Sequence, residues 1–115
     1  MRVLVIDTIA AEGIAYLTER GFQVDQVSSQ LPKEELYECL GGYEAIVTRS
    51  STTVTPEFLG RARRLRILGR AGVGVDNIDV DACSRQGVVV VNAPYGNVVS
   101  AAEHTVGMLL ALVRK

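Results

Sequence analysis

The chain has 115 residues, one domain's worth with a single core, and leaves no room for separate cofactor and substrate domains. Apolar residues make up 48% and charged residues 22%, which excludes a disordered or fibrous chain. A formal net charge of −1 gives no general basic field for nucleic acid or an anionic membrane.

Short β-branched runs alternate with helical stretches from end to end. Val3–Ile6 predicts the first strand and Ala11–Arg20 the first helix, which Gly21 stops. Phe22–Val27 predicts the second strand and Lys33–Leu40 the second helix, with Pro32 in its first turn. Ala45–Thr48 predicts the third strand. Pro56–Ala62 predicts the third helix, with Thr55 as N-cap. Leu65–Leu68 and Val80–Gln86 follow as the fourth strand and helix, and Gly87 ends that helix. Val88–Val91 is the fifth strand. Ser100-Ala101-Ala102-Glu103 reads as a capping box, so the last helix is expected over Ala101–Lys115.

The strands are near-continuous apolar runs, the pattern of a parallel sheet covered on both faces. Strand–helix alternation gives βαβ units. Five such strands predict an α/β fold, a flavodoxin-like doubly wound parallel sheet of order 2-1-3-4-5 with helices on both faces, over residues 1–115 as one domain.

Cys39 and Cys83 are far apart and belong to no Cys/His cluster, so no metal site is expected. They read as reduced thiols of a cytoplasmic protein. The N-terminus is too soon interrupted for a signal peptide. The apolar stretch from Val106 to Val113 is too short to span a bilayer.

In open α/β sheets, ligands bind beyond the carboxyl ends of the strands. The segments at and after the strand ends are Asp7-Thr8, Thr48-Arg49-Ser50-Ser51-Thr52-Thr53, Arg70-Ala71-Gly72-Val73-Gly74-Val75-Asp76-Asn77 and Asn92-Ala93-Pro94-Tyr95-Gly96-Asn97. Their convergence predicts a site for a small anion. Arg49 supplies a planar donor fork and Ser50 a hydroxyl, both suited to phosphate or carboxylate, although Arg49 could equally pair with a nearby acid. Gly72-Val73-Gly74 offers backbone N–H groups to an anion, or simply makes a tight turn. Asn92 and Asn97 could orient a hydroxyl or cap the turn at Pro94. Gly72-x-Gly74 does not open a dinucleotide fingerprint, because Asn77 stands where the third glycine should be. His104, the only histidine, has no nucleophile partner at a motif position and reads as a helix-surface residue more than as an acid/base group.

The last helix is apolar all round from Val106 to Val113, a pattern that calls for burial on every side.

Four ordered segments carry a resemblance: Thr48-Arg49-Ser50, Gly69 through Asp79, Val91 through Asn97, and Ser100 through Thr105. Together they make the chain similar to the N-terminal part of the D-isomer-specific 2-hydroxyacid dehydrogenases, most closely those that act on a phosphorylated hydroxyacid. The resemblance covers essentially all 115 residues. It implies a substrate-binding, flavodoxin-like domain of an oxidoreductase that passes hydride from a D-hydroxyacid to NAD. It implies that Arg49, Ser50, Val73, Gly74 and Asn97 bind substrate, that Val73 also stands near the nicotinamide, and that the helix from Ala101 onward crosses to an NAD-binding domain. The family's catalytic Arg, Glu and His and its dinucleotide fingerprint come later in the chain and are not among these residues. The isolated chain is therefore expected to be inactive, to carry no catalytic residue and no cofactor, and to bind a small phosphorylated hydroxyacid weakly. Its last helix is expected either to fold back over the fifth strand's side of the sheet or to bury itself in a homodimer through Ala101–Arg114. The alternative is a non-catalytic flavodoxin-like module, monomeric or helix-exchanged, without ligand. A response-regulator receiver is disfavoured by the single Asp7 and by Thr48-Arg49 where a phosphoacceptor Asp would stand, and a flavodoxin by Ile9-Ala10-Ala11-Glu12 after the first strand.

Overall fold

The structure, a computed structural model, describes residues 1–114. Lys115, the last residue of the expected terminal helix, lies outside them. In chain order the elements are β1 (Arg2–Ile6), α1 (Ala11–Glu19), β2 (Gln23–Val27), α2 (Lys33–Cys39) with a 3-10 turn at Leu40–Gly42, β3 (Ala45–Thr48), α3 (Pro56–Arg61), β4 (Ile67–Arg70), α4 (Val80–Gln86), β5 (Val89–Asn92) and α5 (Val98–Val113).

The five strands form one parallel sheet in the order β2-β1-β3-β4-β5, as the alternating pattern predicts. Chain direction across the sheet reverses between β1 and β3, so the topological switch point lies there. Register brings the strand ends level, with Thr48 opposite Arg70 and Arg70 opposite Asn92. The segments after the strands therefore leave from one edge.

One face of the sheet holds the core. Leu4, Ile6, Ile46 and Leu68 pack with Leu36, Leu40, Phe58, Leu59, Ala82 and Cys83 of the helices α2, α3 and α4 and the 3-10 turn. Tyr37 meets Phe58 edge to face at 5.8 Å. Each fully buried Leu or Phe contributes about 1.5–3 kcal/mol. The right-handed crossover from β1 to β2 runs the other way and puts α1 on the opposite face. There Val3 and Val5 are buried, and Ile14 and Leu17 of α1 are half-buried. Helices thus lie on both faces, but the α1 side is covered only over β1 and β2. Ile67, Val89 and Val91 stay exposed, Val89 by 59%. The apolar run of β5 is therefore not buried on both faces.

The helix stops act as their residue types predict. Thr55 accepts the Phe58 amide at 3.2 Å, and Pro56 opens α3. Gly87 caps α4 at φ +75°, in the left-handed region where a side chain is strained. Asp79, not singled out beforehand, caps α4 by accepting the Ala82 amide at 2.8 Å.

Four expectations are corrected. Pro32 sits at the N-cap of α2, not inside its first turn. β4 starts two residues later than Leu65, because Leu65 is drawn into the core and bonds back to Ala62. The last helix begins at Val98, not Ala101: the Ala101 amide bonds to the Asn97 carbonyl at 2.9 Å, so Ser100 lies inside the first turn and cannot act as a cap. That helix also does not fold back over the sheet. Every residue from Val91 to Arg114 is exposed, and α5 projects into solvent.

Candidate functional site

The segments after β1, β3 and β4 meet at the carboxyl edge beside the switch point. A shallow cleft of about 450 Å³ opens there, lined by Thr8, Ile9, Ala10, Arg49 and Ala71. Its walls are the segments after β1, β3 and β4, and the bonds among them explain their placement.

Arg49 leaves β3 into the open and donates from Nη1 to the Thr8 carbonyl at 3.2 Å. A guanidinium has five N–H donors, so one such bond leaves most of the fork for a ligand. Ser50 beside it is exposed. The backbone of this segment is held by Asn77, whose Nδ2 donates to the Arg49 carbonyl at 2.9 Å and to the Thr52 carbonyl at 2.6 Å. A parallel bridge between Val54 and Ile78 continues the tie, with Val54 N–H donating to the Asn77 carbonyl and Asp79 N–H to Val54.

The segment after β4 is tied on both sides. The Ala71 amide donates to Thr48 at 2.8 Å and the Ala93 amide to Gly72 at 3.0 Å. Asn92, at the end of β5, donates from Nδ2 to the Val73 carbonyl at 2.6 Å. Among the described residues the Val73 and Gly74 amides have no protein acceptor, and both residues are exposed, so these donors remain for a ligand.

At Gly72 the loop passes close against the end of the Arg70 side chain. A Cβ there would lie 2.5 Å from Arg70 Nη1. Gly72 thus lets the Arg70 guanidinium lie against the loop. Arg70 Nε is buried with no hydrogen-bond partner in the protein. Arg49 follows β3 directly, and Arg70 ends the adjacent strand β4.

The acids nearby are Asp7 and Asp76. The Asp7 carboxyl is held below the usual carboxylate range, first by the Ser51 hydroxyl, then by the Thr8 amide, with a smaller contribution from Arg49. It is ionised at neutral pH. With two acids beside two arginines, this edge offers an anion directed donors more than a net positive field.

Arg49 and Ser50 follow β3, and Val73 and Gly74 follow the adjacent β4, so all four lie at this edge, with Arg49 alone of them lining the cleft. Asn97 is placed differently: it is the N-cap residue of α5, exposed, with no side-chain capping bond. His104 stands exposed on α5. Asn92, read from the sequence as orienting a hydroxyl or capping the turn at Pro94, instead holds the Val73 carbonyl, and Arg70 and Asn77 were not singled out by residue type.

Among the described residues no group of three metal-ligating side chains occurs. Cys39 is exposed and Cys83 buried, both free. No helix among them is long and apolar enough to cross a membrane.

Comparison with known proteins gives a consistent set of likenesses. The profile of the family "D-isomer specific 2-hydroxyacid dehydrogenase, catalytic domain" matches residues 3–109. A D-3-phosphoglycerate dehydrogenase of Archaeoglobus fulgidus is 49% identical over 115 residues, covering 100% of this chain and 22% of that protein. The enzymes of that name from Bacillus subtilis and Homo sapiens are 42% and 41% identical, covering 98% and 99% of this chain and 21% of each protein. The chain thus spans about a fifth of the length of these relatives. Among solved structures, the NAD+-bound 3-phosphoglycerate dehydrogenase of Entamoeba histolytica superposes with a TM-score of 0.84 at 29% identity, covering 95% of this chain and 38% of that one. An NAD-dependent formate dehydrogenase of Staphylococcus aureus, in complex with NAD, gives a TM-score of 0.79 at 28% identity, covering 99% and 39%.

Proposed function

The chain belongs to the D-isomer specific 2-hydroxyacid dehydrogenases, within their catalytic domain, and from that premise we propose that it is the substrate-holding part of a D-3-phosphoglycerate dehydrogenase. The parent reaction is oxidation of 3-phosphoglycerate to 3-phosphohydroxypyruvate with reduction of NAD, at the start of serine biosynthesis. The observation that carries this reading is the pairing of an open Arg49 fork with the unpartnered Val73 and Gly74 amides at one sheet edge. Arg49 takes the phosphate, in the planar geometry that suits it. The Val73 and Gly74 amides take the carboxylate, and Ser50 adds a hydroxyl contact. Arg70 lies on the next strand and adds positive charge. Asn97, at the base of α5, lines the same cleft once α5 is docked.

These residues do not fit a whole dinucleotide. The loop after β1, Asp7–Ala10, holds no glycine, and the glycines after β4 are spanned by Arg70. Contact with NAD is limited in this reading to Val73 against its nicotinamide end. Hydride transfer belongs to the parent enzyme, and the 115 residues alone are inactive. They bind 3-phosphoglycerate no more tightly than about millimolar, or roughly 4 kcal/mol, because nothing closes over the cleft to exclude water. The reading includes a cytoplasmic location, where the exposed Cys39 thiol stays reduced.

A second reading concerns the isolated chain, and the exposure of α5 favours it. With Leu109 and Leu110 each 59% exposed and Leu112 70% exposed, α5 joins two copies in a homodimer through Ala101–Arg114.

The functional reading is tested by mixing the chain with 3-phosphoglycerate and NAD while following NADH absorbance and ligand-observed NMR. The expected result is no NADH above the blank together with a weak binding signal that Arg49→Ala abolishes. NADH production refutes the assigned inactivity. A binding signal unchanged in Arg49→Ala refutes the assigned site.

A further inference from the structure

Asp7 is the one non-glycine residue among those described with a left-handed backbone, at φ +81°. L-residues adopt that region at a cost in free energy, Asp and Asn less than most. Such conformations collect at functional sites, where the surrounding structure holds them in place. Nothing in the pairing of β1 asks for an acid here. The Asp7 amide donates to the Val27 carbonyl at 2.8 Å, a bond that other residues could make. What the acid adds is its carboxylate.

That carboxylate reaches across the switch point. Oδ2 accepts the Ser51 hydroxyl at 2.7 Å, and Oδ1 accepts the Thr8 amide at 2.8 Å. Thr8 in turn presents its carbonyl to Arg49 Nη1 at 3.2 Å. Arg49 and Ser51 are thus both laced to the end of β1, one through the Thr8 carbonyl and the other through the Asp7 carboxylate. Asn77 secures the backbone of the same segment from the opposite side. The carboxylate is ionised at neutral pH and so acts as an acceptor for both bonds.

We propose that Asp7 is a positioning residue: its left-handed backbone aims the carboxylate at Ser51 and Thr8, and through them it fixes the Arg49 guanidinium in the orientation that meets an anionic ligand. The proposal rests on the reading of Arg49 as the phosphate contact. It distinguishes Asp7 from a residue kept for folding alone. Glycine would suit φ +81° without strain, so a merely structural position would tolerate it.

The test compares the wild-type chain with Asp7→Gly and Asp7→Asn. Thermal unfolding is measured for each. Each is also titrated with 3-phosphoglycerate by amide-shift NMR, and the Arg49 Nε–H resonance is followed as a marker of guanidinium order. In Asp7→Gly we expect a melting temperature within a few degrees of wild type, an affinity at least fivefold weaker, and a shifted or broadened Arg49 Nε–H. Asp7→Asn keeps one acceptor oxygen and tolerates the backbone, so it should recover part of the affinity and of the Arg49 signal. Wild-type affinity in either folded variant, with the Arg49 resonance unmoved, overturns the proposal and leaves the site standing. If wild type itself shows no shift at Arg49 and Ser50, the reading of the site falls and the proposal with it. Should Asp7→Gly not fold, Asp7→Asn alone decides.

Discussion

Arg2 shows how a single residue ties together elements distant in the chain. At the amino end of β1, its Nη2 donates to Asp25 Oδ2 at 2.9 Å, and the Tyr43 hydroxyl donates to the same oxygen at 3.0 Å. These bonds join β1, β2 and the start of β3, away from the carboxyl edge. The Arg2 hydrogen bond, followed by that from Tyr43, holds the Asp25 carboxyl below its usual range. A depressed folded-state pKa contributes stability that is fully present above the unfolded value, about 3.9 for Asp, and is lost as pH falls through the lower folded value. The melting temperature is therefore expected to fall on acidification below about pH 4, and Asp25→Asn to flatten that fall. An unchanged acid profile in Asp25→Asn would remove Asp25 from the account. At this same scale the sequence was readable only in part. Arg49 and the glycines announce themselves by type. Asn77, Asn92 and Arg70 act through partners 19 to 28 residues away or through a neighbouring loop, and no local pattern carries that information.

At the scale of elements the hydrophobic pattern was a good guide to the sheet. Ala45–Thr48 and Val80–Gln86 stand where apolar runs and punctuation place them. Boundaries moved where tertiary bonds compete with local preference: Leu65 is claimed by the core ahead of β4, and Asn97 extends α5 by three residues. The face that α5 would bury was not legible, because an all-apolar helix has no side that names its partner. α5 carries the element-scale prediction. The chain should associate in solution through the stripe that includes Val106 and Leu110, exposed by 55% and 59%. Light scattering should then give about twice the 12.4 kDa chain mass, and Leu110→Glu should return it to that of one chain. A wild-type monomer over a wide concentration range would reject the α5 interface.

The whole molecule is more extended than its length requires. The radius of gyration is 16.5 Å, against about 13 Å for a compact domain of this size. The longest dimension is 54 Å against 32 and 26 Å across. The excess follows from α5 standing off a sheet whose β4–β5 end is open on the α1 side. Length alone suggests a one-core domain and carries no sign of this extended shape. Function follows the same division. The sheet supplies a level edge at a topological switch point, and the loops there supply donors without an acid/base group among the assigned contacts. The account's central claim is that this edge holds a phosphorylated hydroxyacid. The most direct measurement is a residue-resolved amide-shift titration of the chain with 3-phosphoglycerate, run beside D-glycerate. The account predicts shifts concentrated at Arg49, Ser50 and Gly72–Gly74, with a weaker response at Arg49 for the ligand lacking phosphate. Perturbation elsewhere with Gly72–Gly74 unmoved, or equal responses at Arg49 to both ligands, would contradict it.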